Sequence, residues 1–212
     1  MLDFIDIFLH LDSYLGSIIQ EYGIWTYAIL FIIIFLEPGI VVTPFLPGDS
    51  LIFIAATFAG IGVLNPLWLF LIVAAAAILG DTVNYWIGYN VGPRVFHKKI
   101  RYFKMEHLER AQKFFKKHGP KTIVIARFLP IIRTFAPFVA GISKMDYKRF
   151  LTYNVLGGVF WVGLFVSLGY FFGNMPIVRE NFTAVIVIII LASLIPPGYD
   201  YIQHRRKKAI EK

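Results

Sequence analysis

FLEPGIVVTPFLPGDSL, residues 35 to 51, places Glu37 and Asp49 among aliphatic side chains and interrupts them with Pro38, Pro44 and Pro47. Inside a bilayer a charge costs about 2.5–3.5 kcal/mol at the centre of a spanning helix, and broken backbone has no water to bond. The surrounding sequence is nonetheless that of a membrane protein. Of 212 residues, 58% are hydrophobic and 17% aromatic, and the mean hydropathy is +0.67. Soluble domains carry an apolar share of about 45–50%. Residues 66 to 92, 150 to 173 and 182 to 202 each form an apolar run long enough to cross a hydrocarbon core of about 30 Å.

The charges are as unevenly placed as the prolines. The net charge is +8, yet no Lys or Arg precedes Arg94, and the opening MLDFIDIFLHLDSYL is acidic. A cleaved secretory signal is not expected from such a start. Most of the basic residues crowd into residues 93 to 121, SKMDYKR and the tail HRRKKAIEK. By the positive-inside rule these segments face the cytoplasm and the N-terminus faces outward. This pattern fits a cytoplasmic face beside membrane lipids and argues against nucleic acid as partner. Cysteine is absent, which removes thiolate chemistry and disulfides.

Two strings recur. FLPGDSLIFIAATFAG from Phe45 matches FLPIIRTFAPFVAG from Phe128, and IGYNVG from Ile87 matches LGYFFG from Leu168. Before each FLP string lies an apolar piece too short to span, residues 24 to 36 and 122 to 129. Proline then removes a backbone donor and blocks the preceding turn, so the chain is expected to turn back at 37 to 50 and again at 130 to 137. With the N-terminus outside, the two hairpins enter from opposite faces. The predicted fold is an all-α integral membrane protein, an inverted repeat with two opposed re-entrant helical hairpins plus transmembrane helices. Its parts are an N-terminal amphipathic segment (1–23), a first repeat (24–92), a basic amphipathic cytoplasmic linker (93–118), a second repeat (119–175), and a C-terminal transmembrane helix with a basic tail (176–212). KMEHLERAQKFFKKH, residues 104 to 118, has helical apolar spacing and is expected to lie on the inner leaflet.

On this frame Glu37 and Asp49 fall at one hairpin tip and Arg127 and Arg133 at the other. Asp81 in GDTVNYWIGYNVG is an accessory acid, with Asn84 and Tyr85 as polar neighbours. Two arginines in a dry site suit a phosphate or another anion. Neighbouring carboxylates in an apolar setting favour taking up a proton, which would release the arginines from pairing. That chemistry is a proton-coupled exchange. The same charges could instead lock the two repeats together as buried ion pairs, or move a small ion with protons.

These residues resemble the DedA family, members of the VTT or SNARE-associated-type domain superfamily, whose wider membership includes eukaryotic lipid scramblases. The resemblance covers roughly residues 20 to 175. It rests on EPGIVVTPFLPGDS, GDTVNYWIGYNVG and RFLPIIRTFAPFVAGISKMDYKRF. It implies functional acids at Glu37 and Asp49 and functional arginines at Arg127 and Arg133. It further implies a multi-pass protein of the bacterial inner membrane that returns undecaprenyl phosphate across it, draws on the proton motive force and supports the cell envelope. No cofactor is implied.

Two enzymatic readings are set aside. GDSL, residues 48 to 51, matches a serine-esterase nucleophile motif, but the required Asp-x-x-His partner is missing, since Asp200 and His204 are spaced one residue too far. His97, His107 and His118 lack metal-ligand spacing. The expectation is therefore a carrier and not an enzyme.

Overall fold

The computed structural model describes residues 21–39, 48–95 and 105–180. The expected C-terminal crossing and most of the N-terminal segment lie outside these residues. Among those described the fold is entirely helical. The α-helices are α1 (Ile24–Gly39), α2 (Gly48–Gly60), α3 (Pro66–Val95), α4 (Met105–His118), α5 (Thr122–Ala126), α6 (Pro130–Ile142), α7 (Tyr147–Gly173) and α8 (Pro176–Glu180), with a 3-10 turn at Gly119–Lys121. Residues Pro66–Asn90 of α3 and the whole of α7 are long and apolar enough to cross a membrane. A core helix of a soluble protein would be mostly covered, but these are only 39% and 33% buried. Leu67, Trp68, Leu71 and Leu79 of α3, and Leu156, Phe160, Leu168 and Phe171 of α7, are turned outward. Such apolar exposure needs lipid.

The chain divides into two compact units. The larger, Ile24–Leu46 and Leu67–Phe165, is built around α6. Leu108 and Ala111 of α4 are fully buried against Phe135, Phe138 and Val139 of α6, with Phe115 packed alongside. The apolar face of the linker helix is thus covered by protein, where the sequence pattern had placed it on lipid. A helical period shows that one face must be buried but not by what.

On another side α6 meets α3 with almost no space between backbones. A Cβ at Gly88 would lie 2.2 Å from the Phe138 carbonyl oxygen, and one at Gly141 would lie 2.1 Å from that of Tyr85. Only glycine allows this approach. Tyr85 then stacks on Phe150 of α7, ring centres 4.4 Å apart, and donates its hydroxyl to the Met145 carbonyl.

The break near Pro130 is displaced from its expected place. Residues 130 to 137 were expected to be broken, but Pro130 opens α6 and Pro137 lies within it, and the interruption is Arg127–Leu129. Proline at a first helical position loses only a donor that would be unpaired anyway. Its restriction falls instead on Leu129, which is extended at φ −121°, ψ 99°. The backbone N–H groups of Arg127, Phe128 and Leu129 still donate to Val124, Ile125 and Ala126, so the break leaves these three donors satisfied. Helix α1 likewise runs to Gly39, two residues past Glu37. Proline disfavours a helical residue before it without forbidding one.

A capping motif ends α6. Met145 N–H donates to Ala140 and Lys144 N–H to Gly141, with Lys144 left-handed at φ 49°. Asp146 then starts α7 by accepting from the Arg149 N–H at 2.9 Å. Because a side chain strains the left-handed position, Lys144→Gly is expected to raise stability by about 0.5–1 kcal/mol, measured by thermal melts in detergent.

The smaller unit takes Pro47–Pro66 and the residues from Val166 on. In it α2 packs on the end of α7. A Cβ at Gly60 would lie 2.4 Å from the Tyr170 carbonyl oxygen, and those at Gly169 and Gly173 would each lie 2.5 Å from the Phe53 and Thr57 oxygens. Phe53 and Phe172 seal this contact, with ring centres 5.4 Å apart.

Candidate functional site

The larger unit brings together four of the five charges singled out in the sequence. Arg127, in the turn after α5, donates from Nη2 to Asp81 Oδ2 of α3 at 2.6 Å. Arg133, in the first turns of α6, donates from Nη2 to Glu37 Oε2 of α1 at 3.2 Å. All four residues are buried, at 3%, 4%, 7% and 7% exposure for Arg127, Asp81, Arg133 and Glu37. Each arginine is paired with an acid, a condition for charge in so dry a place.

Asp81 thereby gains importance. The sequence made it an accessory acid beside the other four charges. It lies inside the thirty-residue helix α3, buried against Arg127. Asp49 belongs to the smaller unit, half-buried in the first turn of α2.

Three further residues complete the site. Asn154 of α7 accepts from the same Arg127 Nη2 at 2.6 Å, and its own amide nitrogen donates to the Ile78 carbonyl of α3 at 2.9 Å. It therefore ties Arg127 to α3 through a neutral group, independently of the charge on Asp81. Trp161, fully buried on α7, lies beneath both guanidinium groups, with Arg133 Cζ 4.2 Å and Arg127 Cζ 5.9 Å from the ring centre. Stacking of this kind holds arginine by the ring's negative face. Asn84 donates to the Thr134 carbonyl at 2.8 Å and so fixes the turn that carries Arg133.

Glycine again makes the space. A Cβ at Gly158 would fall 3.3 Å from Arg127 Nη2 and 2.9 Å from Ile78, and one at Gly157 would fall 3.4 Å from Arg127 Cδ. Among the buried side-chain polar atoms described, Arg127 Nε, Trp161 Nε1 and Asn84 Oδ1 have no hydrogen-bond partner. Two of the three belong to Arg127 and to the ring under it. Asn154 could have been found from sequence, as the one amide in an apolar crossing helix. Trp161 carried no such signal in a chain so rich in aromatic residues.

Comparison with known proteins finds membrane proteins of one family. The VTT domain model matches residues 46–171. Protein DedA of Escherichia coli K12 is 48% identical over 208 residues, covering 97% of this chain and 95% of that protein. Uncharacterized membrane protein ML0287 of Mycobacterium leprae is 43% identical, covering 78% of this chain and 74% of its own. Inner membrane protein YqjA of E. coli K12 is 34% identical, with 71% and 69% covered. No solved structure matches the chain. A domain match over more than half the sequence and a close relative over nearly all of it place this chain in the DedA family of VTT-domain membrane proteins.

Proposed function

We propose that this protein is a carrier, not an enzyme, that moves a polyprenyl phosphate such as undecaprenyl phosphate across the bacterial inner membrane in exchange for protons. The observation that carries the reading is the pair of buried arginines beside a helix break, each paired with a carboxylate. Arginine presents a fork suited to phosphate oxygens. An acid that takes up a proton releases its guanidinium to an anion. Glu37 serves Arg133 in this role, and Asp81 joins it as the counter-ion of Arg127. Asp49 remains in the proposal as a further proton site at the start of α2.

The finer architecture belongs to the same proposal. α1 with α2, and α5 with α6, are the two re-entrant hairpins of an inverted repeat. The glycine contacts support this: α2 of the first repeat packs on α7 of the second, and α6 of the second packs on α3 of the first. The basic linker and the C-terminus face the cytoplasm. Exposed Trp86 and Tyr89 on α3, with exposed Lys144, Lys148 and Arg149 at the start of α7, are the aromatic and basic side chains expected at such a membrane interface.

A non-transporting envelope scaffold would use the same ion pairs as locks, and their good geometry favours that second reading. Arg133→Lys separates the two. The purified protein in proteoliposomes is given labelled undecaprenyl phosphate, with and without a pH gradient. Lysine keeps the charge but loses the fork, so flipping is expected to fall roughly tenfold while the melt changes little. Unchanged flipping by the lysine variant counts against phosphate recognition by Arg133. A well-folded wild type that flips nothing leaves the scaffold.

A further inference from the structure

The unpaired donors at the arginine cluster describe a seat for an oxyanion that includes a residue outside the four charges. A buried N–H without an acceptor forfeits its hydration and gains nothing in return, so such groups are rare in folded chains. Here two of them lie on neighbouring groups, the Arg127 guanidinium and the Trp161 indole, with Arg127 Cζ 5.9 Å from the ring centre. A guanidinium offers Nε and Nη2 along one edge, spaced for two oxygens of one anion. On Arg127 the Nη2 end of that edge holds Asp81 and Asn154, and the Nε end holds nothing. Asp81 therefore occupies half of a bidentate position and leaves the other half open.

We infer that Trp161 is a ligand-binding residue. Its indole face carries Arg133, and its Nε1–H, together with the Nε–H and Nη2–H of Arg127, donates to the oxygens of a phosphate monoester that takes the place of Asp81. Asn154 keeps Arg127 on α3 while this exchange occurs, because its own bonds to Ile78 and to Arg127 do not involve Asp81. The third unpaired atom, Asn84 Oδ1, is an acceptor and adds nothing to an anion seat. This inference rests on the anion-carrier reading and specifies the donors it uses.

The test is an indole N–H spectrum of the full chain in neutral detergent, labelled at its four tryptophans, titrated with dodecyl phosphate and, separately, with dodecanol. Trp161→Phe identifies the Trp161 signal and keeps a ring face for Arg133 while removing the donor. The expected result is a saturable downfield shift of the Trp161 proton with dodecyl phosphate and none with dodecanol. Trp161→Phe is expected to bind dodecyl phosphate roughly tenfold to a hundredfold more weakly, as befits loss of one hydrogen bond to a charged group. Saturable phosphate binding, followed by phosphorus resonance width, with an unmoved Trp161 proton and full affinity in Trp161→Phe, overturns the role of Trp161 and leaves the carrier reading standing. No saturable binding of dodecyl phosphate by the folded wild type overturns both.

Discussion

Arg127→Ala is expected to destabilise the protein by about 3–5 kcal/mol, because it strands the Asp81 carboxylate, only 5% exposed, away from its counter-ion. Arg133 also attracts Asp81, which places the expectation toward the lower end of that range. Asp81→Leu combined with Arg127→Met removes both charges at similar volume, and apolar replacement of a whole buried pair is often neutral or stabilising. One debt remains in the double variant: Asn154 Oδ1 loses the donor it now has at 2.6 Å, a loss of about 1–3 kcal/mol. The double variant should therefore melt above Arg127→Ala and somewhat below wild type. Thermal melts in detergent micelles measure this, and flipping assays on the same samples decide its meaning. A lock replaced by packed apolar groups should work again once the fold is restored. A carrier should regain its fold and stay inactive, because the phosphate has lost its fork.

The sequence made the helices and the charged residues legible but not the pairing among them. Hydropathy found α3, and α7 apart from its polar first turn, because long apolar runs have one stable form in lipid. Proline marked the neighbourhood of the breaks, yet Pro130 proved to begin a helix and Arg127–Leu129 to be the interruption. Its constraint acts on the residue before it. The partner of Arg127 was not readable for a different reason. Which acid reaches a guanidinium depends on how helices rotate and how closely they approach, and on α3 that is set by backbone contact at Gly88 and Gly141. The motif strings contained both glycines without revealing what they touch. Asn154 and Trp161 lie on α7, far along the chain from Arg127, and only the packed helices bring them beneath it.

Gly141→Ala and Gly60→Ala should be among the most damaging single-methyl changes in the described chain, each costing at least about 3 kcal/mol, the upper end of overpacking. The added carbon would sit 2.1 Å from a backbone oxygen of α3 in the first case and 2.4 Å from one of α7 in the second. Backbone in a helix cannot step aside as a side chain can, so a whole helix must move. Gly163→Ala is the control, since its Cβ would meet only Phe70 Cε2 at 3.7 Å, and alanine in a helix then favours stability by about 0.5–1 kcal/mol. The two damaging changes also test the internal repeat. Gly60 closes FLPGDSLIFIAATFAG and Gly141 closes FLPIIRTFAPFVAG, and each meets the helix carrying the other copy's GY string. In a true repeat with exchanged partners the two sites are equivalent, and their alanine variants should lose comparable stability in micelles. A chain that tolerates Gly60→Ala but collapses with Gly141→Ala would contain two unrelated contacts, and the proposed inverted repeat would lose its support.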